Sequence, residues 1–289
     1  MMATEAEWLR LVESCRTKEV IREKKLARDE VKRVLAATVK KLLPKEKFGI
    51  MFSGGVDSTV IAQCCRIGGG NFTCYTVGFR DELIGIPEDI KYAEIVARQL
   101  GVELKKRIYS LNESEEIIGK VSKLVTPDIV NVGVGAVEYA AITLAKQDGI
   151  KYLFSGLGSE EIFAGYQRHA MAEDVQQECW RGLSMIYNRD LLRDMALAKH
   201  FGIRFITPFL DQDMIRLAMQ IPAEWKLDGE KNKLILREAA VELGIPEEFA
   251  FRKKKAAQYG SNFDKAIAKL AKRKGFSQKG EYIRSLVKQ

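Results

Sequence analysis

The sequence predicts an α/β protein: a doubly wound parallel sheet with a helical C-terminal half. Three observations predict it. Between about residues 46 and 170, short apolar runs alternate with segments of helical periodicity, the pattern of right-handed βαβ units. Two of the runs, F-G-I-M-F and K-Y-L-F, break off at glycine-rich segments, S-G-G-V-D-S and S-G-L-G-S-E-E, as strands do at the carboxyl edge of such a sheet. Beyond residue 170 the chain reads as helix with brief interruptions.

Each element follows from local pattern. Residues 3–43 form an amphipathic helix, because Val31, Val34, Leu35, Val39 and Leu42 recur at three- and four-residue intervals, and Pro44 with the K-E-K run ends it. F-G-I-M-F is a short buried strand. Helix 57–67, strand 72–78, helix 88–100 and strand 103–109 follow in alternation. Helices near 113–124 and 134–148 lead to strand 151–154, and helices 173–200, 211–219, 231–243 and 262–273 make up the rest. The expected organisation is an N-terminal helical segment, 1–45, ahead of one unit, 46–289. That unit has its sheet core at about 46–170 and its helical part at about 171–289.

Charge is unevenly placed. Of 289 residues, 47 are Lys or Arg and 39 Asp or Glu. Residues 251–289 hold 12 of those bases and only 2 of the acids, so the body is nearly neutral and the tail cationic. A uniformly basic nucleic-acid-coating protein is excluded, while RNA contact through the tail stays open. The five cysteines, Cys15, Cys64, Cys65, Cys74 and Cys179, form no C-x-x-C pair, and the only histidines are His169 and His200. Neither a disulfide framework nor a zinc site is indicated, and a metal would be held by carboxylates, which favours Mg²⁺. No run approaches the ~20 apolar residues that span a bilayer. The start, M-M-A-T-E-A-E-W, has no signal-peptide core, so the protein is expected in the cytoplasm and off the membrane.

Two motifs carry chemistry. Ser53-Gly54-Gly55-Val56-Asp57-Ser58 joins a strand to a helix, where glycines allow a tight turn and the helix N-terminus presents N–H groups. Such a cradle suits phosphate. Asp57 is placed to hold a Mg²⁺ that bridges phosphate oxygens, or else simply caps the helix. There is no G-x-x-x-x-G-K-[ST], so this is not a Walker A loop. Ser155-Gly156-Leu157-Gly158-Ser159-Glu160-Glu161 ends another strand and should face the same crevice. There Glu160 or Glu161 can share the metal with Asp57, with Ser159 as a helix cap the plainer alternative. Lys254 falls in Arg252-Lys253-Lys254-Lys255, a run whose plain reading is a solvated or RNA-facing patch.

S-G-G-V-D-S together with S-G-L-G-S-E-E-I-F-A-G-Y resembles the synthetase domain of asparagine synthetases, within the N-type ATP pyrophosphatase (adenine nucleotide alpha hydrolase-like) superfamily. Asp190-x-x-Arg193, Gly202-Ile203, Thr207-Pro208-Phe209-Leu210-Asp211, Ile235-Leu236-Arg237-Glu238 and Arg252-x-Lys254-x-x-x-Gln258-x-Gly260-Ser261 continue the resemblance in order over roughly residues 30–265. It implies an ATP- and Mg²⁺-dependent ligase that adenylates a small carboxylate, releases pyrophosphate and forms an amide. By the same resemblance, residues Ser53 to Ser58 hold pyrophosphate and Asp57 and Glu160 bind Mg²⁺. Met51, Val77, Ser155 and Gly156 surround adenosine, Lys254 neutralises charge at the breaking α–β bond, and Asp190 orients that lysine.

Two departures qualify this. The family's S-G-E-G-S-D-E has Leu157 in place of its first glutamate, and leucine cannot take a proton from an attacking amine. Amidation, and aspartate as the acceptor, are therefore less secured than adenylation. Only about 45 residues precede the first strand, and Cys15 in an amphipathic helix suits a buried thiol better than a glutaminase nucleophile. Nitrogen is then expected from ammonia or a separate glutaminase. The alternatives are a tRNA-modifying adenylating enzyme or a non-catalytic nucleotide-binding partner.

Overall fold

The computed structural model describes residues 4–253 and 255–287. Helix α1 (Glu5–Ser14) opens on a capping box in which Thr4 and Glu7 satisfy each other's backbone N–H groups. The single helix expected over 3–43 is in fact two, with α2 spanning Lys24–Leu42. The buried stripe of α2, Ala27, Val31, Leu35 and Val39, does not extend back through the charged K-E-V-I-R-E-K segment. That stretch instead docks as a strap, with Ile21 N–H donating to the Gln220 carbonyl at 2.9 Å.

The sheet core follows the expected alternation: β1 (Phe48–Met51), α3 (Val56–Ile67), β2 (Phe72–Phe79), α4 (Glu88–Leu100), β3 (Leu104–Tyr109), α5 (Leu111–Ser122), α6 (Ile129–Lys146) and β4 (Tyr152–Phe154). Then come α7 (Ser159–Ile162), α8 (Gln167–Ala170), α9 (Val175–Ile186), a π-helical turn (Tyr187–Leu191), α10 (Leu192–Phe201) and β5 (Arg204–Ile206). The remainder is α11 (Gln212–Met219), α12 (Leu234–Glu242), α13 (Glu247–Ala250), α14 (Ala257–Gly260), α15 (Phe263–Arg273) and α16 (Lys279–Ser285). Two corrections to the sequence expectation stand out. A strand, β5, lies inside the segment expected to be all helix, and the helix expected over 173–200 is interrupted by the π turn.

The five strands are parallel in the order β3-β2-β1-β4-β5. The chain winds outward from β1 in one direction and then, from β4, in the other. The switch point therefore falls between β1 and β4, where open α/β sheets bind ligands at the strands' carboxyl ends. Alternate side chains enter opposite layers. Phe48, Ile50, Cys74 and Phe154 pack under α2, α3 and α12, and Tyr75, Val77 and Leu153 pack under α6 and α15. All five cysteines are buried free thiols, and burial pushes the Cys64 thiol up to about 12. Cys15 caps the end of α1.

Among the described residues one helix, α6, is long and apolar enough to cross a membrane. Its buried residues Val132, Ala136, Tyr139, Ala140 and Ile142 belong to the second layer's core.

Candidate active site

The loops after β1 and β4, on neighbouring strands, meet at the switch point. Gly54 has φ +67, a left-handed turn that a side chain would strain. Hydroxyls knit the loop: Ser53 N–H donates to Ser58 Oγ at 3.3 Å, Gly55 N–H to Ser53 Oγ at 3.3 Å, and Ser58 Oγ–H to the Gly55 carbonyl at 3.2 Å. Helix α3 follows from Gly55 with no side-chain cap, so its N-terminus is left to other partners. Asp57 lies in its first turn.

Asp57 reaches Lys233. The Lys233 ammonium donates to both Asp57 carboxylate oxygens at 2.8 and 2.7 Å and to Ser159 Oγ at 3.0 Å. It also pairs with Glu160 Oε1 at 2.7 Å. The two carboxylates expected to share a metal are thus brought together around one cation. Ser159, the alternative helix cap, has its hydroxyl on that cation, and Gly158 occupies the cap position of α7. Burial opposes the charge on Lys233, but the Asp57 and Glu160 carboxylates outweigh it and hold its pKa above the ordinary lysine range.

Nothing in the sequence marks Lys233. It lies in E-K-N-K, a stretch that looks like a solvated loop, just ahead of the I-L-R-E motif. Arg237 of that motif fixes the turn, donating to the Asn232 carbonyl at 2.7 Å and to Asn232 Oδ1 at 3.1 Å. Asn232 in turn donates to the Gly165 carbonyl. A Cβ on Gly165 would overlap Glu160 Oε2 and Lys233 Cε. Gly165→Ala is therefore expected to displace Glu160 and lower turnover about tenfold or more, with a loss of about 1–3 kcal/mol in urea unfolding from overpacking a buried position.

Arg237 also donates to the carbonyls of Ala250 and Arg252, at 2.7 and 3.0 Å. Arg252, itself buried, donates to the Ser53 carbonyl at 3.1 Å, pairs with Glu88 and Asp89 at 3.4 and 3.5 Å, and stacks on Tyr92. These bonds tie the C-terminal segment to the first glycine loop. Lys254 lies outside the described residues.

The other expected residues fall as follows. Met51 and Val77 share one face of β1 and β2, Met51 pairing in register with Tyr75 two positions before Val77. Ser155 is buried beyond β4, and an added Cβ on Gly156 would come within 2.9 Å of Asp57 Cβ. Leu157 packs partly buried against the larger core. Glu161, adjacent in sequence to Glu160, points the other way and is fully buried against Arg189.

The π turn presents Arg189 and Asp190 to this region. Arg189 pairs with Asp190 at 2.6 Å and with Glu161, and donates to Tyr166 Oη at 3.3 Å. Arg193 pairs with Glu138 at 2.9 Å, Asp190 at 3.1 Å and Asp194 at 2.8 Å. Asp190 thus contacts Arg189 and Arg193, and Lys254, the partner expected for it, lies outside the described residues. Burial raises the pKa of Glu138 and of Asp194, and of Glu161 despite Arg189.

His169, near the A-G-Y-Q-R segment, is fully buried and accepts the Tyr166 N–H on Nδ1 at 3.1 Å. Burial, then the charge of Arg168, lowers its pKa from 6.5 to about 4. The fold favours the neutral ring, so its contribution is complete above pH 6.5 and is lost as pH falls toward 4. The thermal midpoint of wild type should fall through that window more steeply than that of His169→Gln.

Some of the tail's described basic residues are paired within the protein. Lys269 meets Asp81, Lys274 meets Glu115 at 2.8 Å, and Lys279 meets Asp264 at 2.5 Å, while Lys265 and Lys272 are exposed.

A parallel sheet in this order, with S-G-G-V-D-S closing its first strand, is a doubly wound α/β fold with its ligand crevice at the switch point. The asparagine synthase family model matches residues 30–173 and 171–287, and the chain belongs to that family. A putative glutamine-hydrolyzing asparagine synthetase of Methanocaldococcus jannaschii is 34% identical over 88% of this chain and 53% of its own length. The nodule asparagine synthetase of Pisum sativum is 29% identical over 70% of this chain and 37% of its own length. The chain spans about half or less of the length of these relatives. A solved NMN synthetase from Francisella tularensis aligns with 92% of this chain and 93% of its own, at 14% identity and a TM-score of 0.44.

Proposed function

We propose that the protein is an ATP-dependent ligase that adenylates a small carboxylate, releases pyrophosphate and passes the acyl group to an amine. Membership of the asparagine synthase family supports the reaction class. The observation that carries the reading for this chain is the placement of Asp57 and Glu160 on either side of one cation, in front of an uncapped helix N-terminus.

The donor set fits Mg²⁺. Two carboxylates with a hydroxyl between them are hard oxygen ligands, and Mg²⁺ is commonly held by one or two carboxylates plus substrate phosphates. The Lys233 ammonium already shows that the site accepts a positive charge. Asp57 and Glu160 would hold the ion, which would supply neutralisation of phosphate charge.

The chain's own residues would do the rest. The Ser53–Ser58 loop offers backbone N–H groups and hydroxyls to the pyrophosphate portion, and the α3 N-terminus adds favourable partial charge. Met51, Val77, Ser155 and Gly156, around the ends of three adjacent strands, would bound the adenosine. Lys254, following the anchored Arg252, is assigned the fixed cation that matches charge developing as the α–β bond breaks. Asp190, held by Arg189 and Arg193, is assigned the part of orienting that lysine.

Leu157 offers no base to an attacking amine. The amine must then arrive unprotonated, and amide formation is expected to rise with pH toward the amine's pKa while adenylation does not. Aspartate is the first candidate acceptor, with ammonia, free or delivered by a separate glutaminase, as the nitrogen donor. RNA contact through the tail has no support, and Lys269, Lys274 and Lys279 pair with carboxylates of the protein itself. Incubation with ATP, Mg²⁺, ammonia and a panel of carboxylic acids, following AMP, tests the reading. AMP release dependent on one acid supports it, and ATP binding with no AMP from any acid would sink its catalytic part.

A further inference from the structure

Lys233 stands where a metal ion would be placed. Its ammonium, 2.7–3.0 Å from both Asp57 oxygens, Glu160 Oε1 and Ser159 Oγ, is satisfied entirely by groups that a divalent ion would use. The side chain is almost fully buried, so it has no solvent to fall back on. Its backbone is held at φ +55, a left-handed conformation that costs a lysine energy and persists only where neighbours impose it. The neighbours here are Arg237, which fixes Asn232, and Asn232, which fixes the Gly165 loop beside Glu160.

A divalent ion and an ammonium cannot both sit between these carboxylates, because like charges a few ångströms apart in a buried setting repel strongly. A lone ion entering here would strip Lys233 of every described side-chain partner and leave a buried charge unpaired, which is costly. Nucleotide phosphates change this, since they offer the displaced ammonium new anionic oxygens in the same space. We propose that Lys233 is a built-in counter-cation that excludes free Mg²⁺ from Asp57 and Glu160, so that the ion is admitted only together with the nucleotide's phosphates. The inference rests on the ligase reading for the identity of metal and nucleotide. Its geometry does not depend on which acid is activated.

The test uses the full chain and Mn²⁺ as the probe, with binding followed by electron paramagnetic resonance and no turnover required. Wild type should bind Mn²⁺ weakly alone and about tenfold or more tightly with a non-hydrolysable ATP analogue. Lys233→Met should bind Mn²⁺ without nucleotide about tenfold or more tightly than wild type, the effect of removing one buried like charge at close range. Lys233→Arg, which keeps the charge, should stay weak. Because Lys233→Met leaves two buried carboxylates facing each other, its thermal midpoint is measured in parallel. Mg²⁺ should restore a midpoint lost in chelator for Lys233→Met and leave wild type unchanged.

Equal or weaker Mn²⁺ binding by Lys233→Met, or a midpoint that Mg²⁺ does not restore, overturns the proposal. So does wild-type binding that is as tight without nucleotide as with it. A tighter site in Lys233→Met alongside a wild type that forms no AMP supports the counter-cation and sinks the ligase reading alone.

Discussion

Asp57→Asn is expected to lower AMP formation on the order of 10³-fold, the scale seen when a preorganised charge-stabilising group is removed from a reaction centre. The substitution keeps the size of the side chain and its place at the start of α3. It removes the negative charge that faces Lys233 at 2.7 and 2.8 Å, and with it half of the carboxylate pair assigned to Mg²⁺. Stability should fall too, because the Lys233 ammonium keeps only Glu160 as a charged partner, and breaking one side of a buried pair costs about 3–5 kcal/mol where no other carboxylate remains. Here Glu160 remains, so the loss in urea unfolding should fall below that range while the loss in turnover stays large. A variant that unfolds outright, or that turns over within tenfold of wild type, contradicts the assignment of Asp57.

Arg193→Met is expected to have the largest effect on stability, about 3–5 kcal/mol at neutral pH, because it leaves Glu138, Asp190 and Asp194 around an apolar side chain. The pH dependence has a definite sign. Glu138 and Asp194 already have folded pKa values above their ordinary 4.5 and 3.8. A raised carboxyl favours the fold when protonated, so its penalty is absent below the ordinary pKa and grows as pH rises through the folded one. Without Arg193 both pKa values should rise further. The deficit of the variant should therefore shrink as pH is lowered through the ordinary carboxylate range toward about 3, where the carboxyls are largely protonated in both states. Urea unfolding at neutral pH and near the ordinary carboxylate pKa checks this, and a deficit that stays constant with pH would show that the arginine acts through packing alone.

Much of the sheet core was legible because its signals are local. Each βα unit carries its own apolar run, its glycine stop and its helical stripe, and β1 to β4 appear close to the expected residues. Strand β5 was not legible, since a three-residue strand shows no alternation and is defined only by its register with β4. The break between α1 and α2 is not legible because the charged segment between them is held by tertiary contact, Ile21 N–H to the Gln220 carbonyl, and carries no turn signal of its own. The π turn, Tyr187–Leu191, likewise leaves no mark in hydrophobic spacing.

The site divides in the same way. Asp57 and the glycine loops announce themselves by residue type at a strand's end. Glu160 and Glu161 could not be separated from sequence, because adjacent residues on a helical turn point roughly 100° apart and only the packing of Glu161 against Arg189 decides which faces Asp57. Lys233 was hidden by its company, since three of the four residues in E-K-N-K are charged and the run resembles solvent-facing loop. Its burial arises from residues more than 70 positions away in sequence. Pairing within the basic tail was illegible for a related reason: Asp81 and Glu115, the partners of Lys269 and Lys274, are distant in sequence.

The most direct test of the central claim is isotope exchange of pyrophosphate into ATP, with Mg²⁺, in the absence of any amine. Adenylation at the Asp57–Glu160 site predicts exchange that requires one small carboxylic acid, aspartate tried first, and that is lost in Asp57→Asn. Exchange that proceeds without any acid, or that no acid supports in a protein shown to bind ATP, would contradict it.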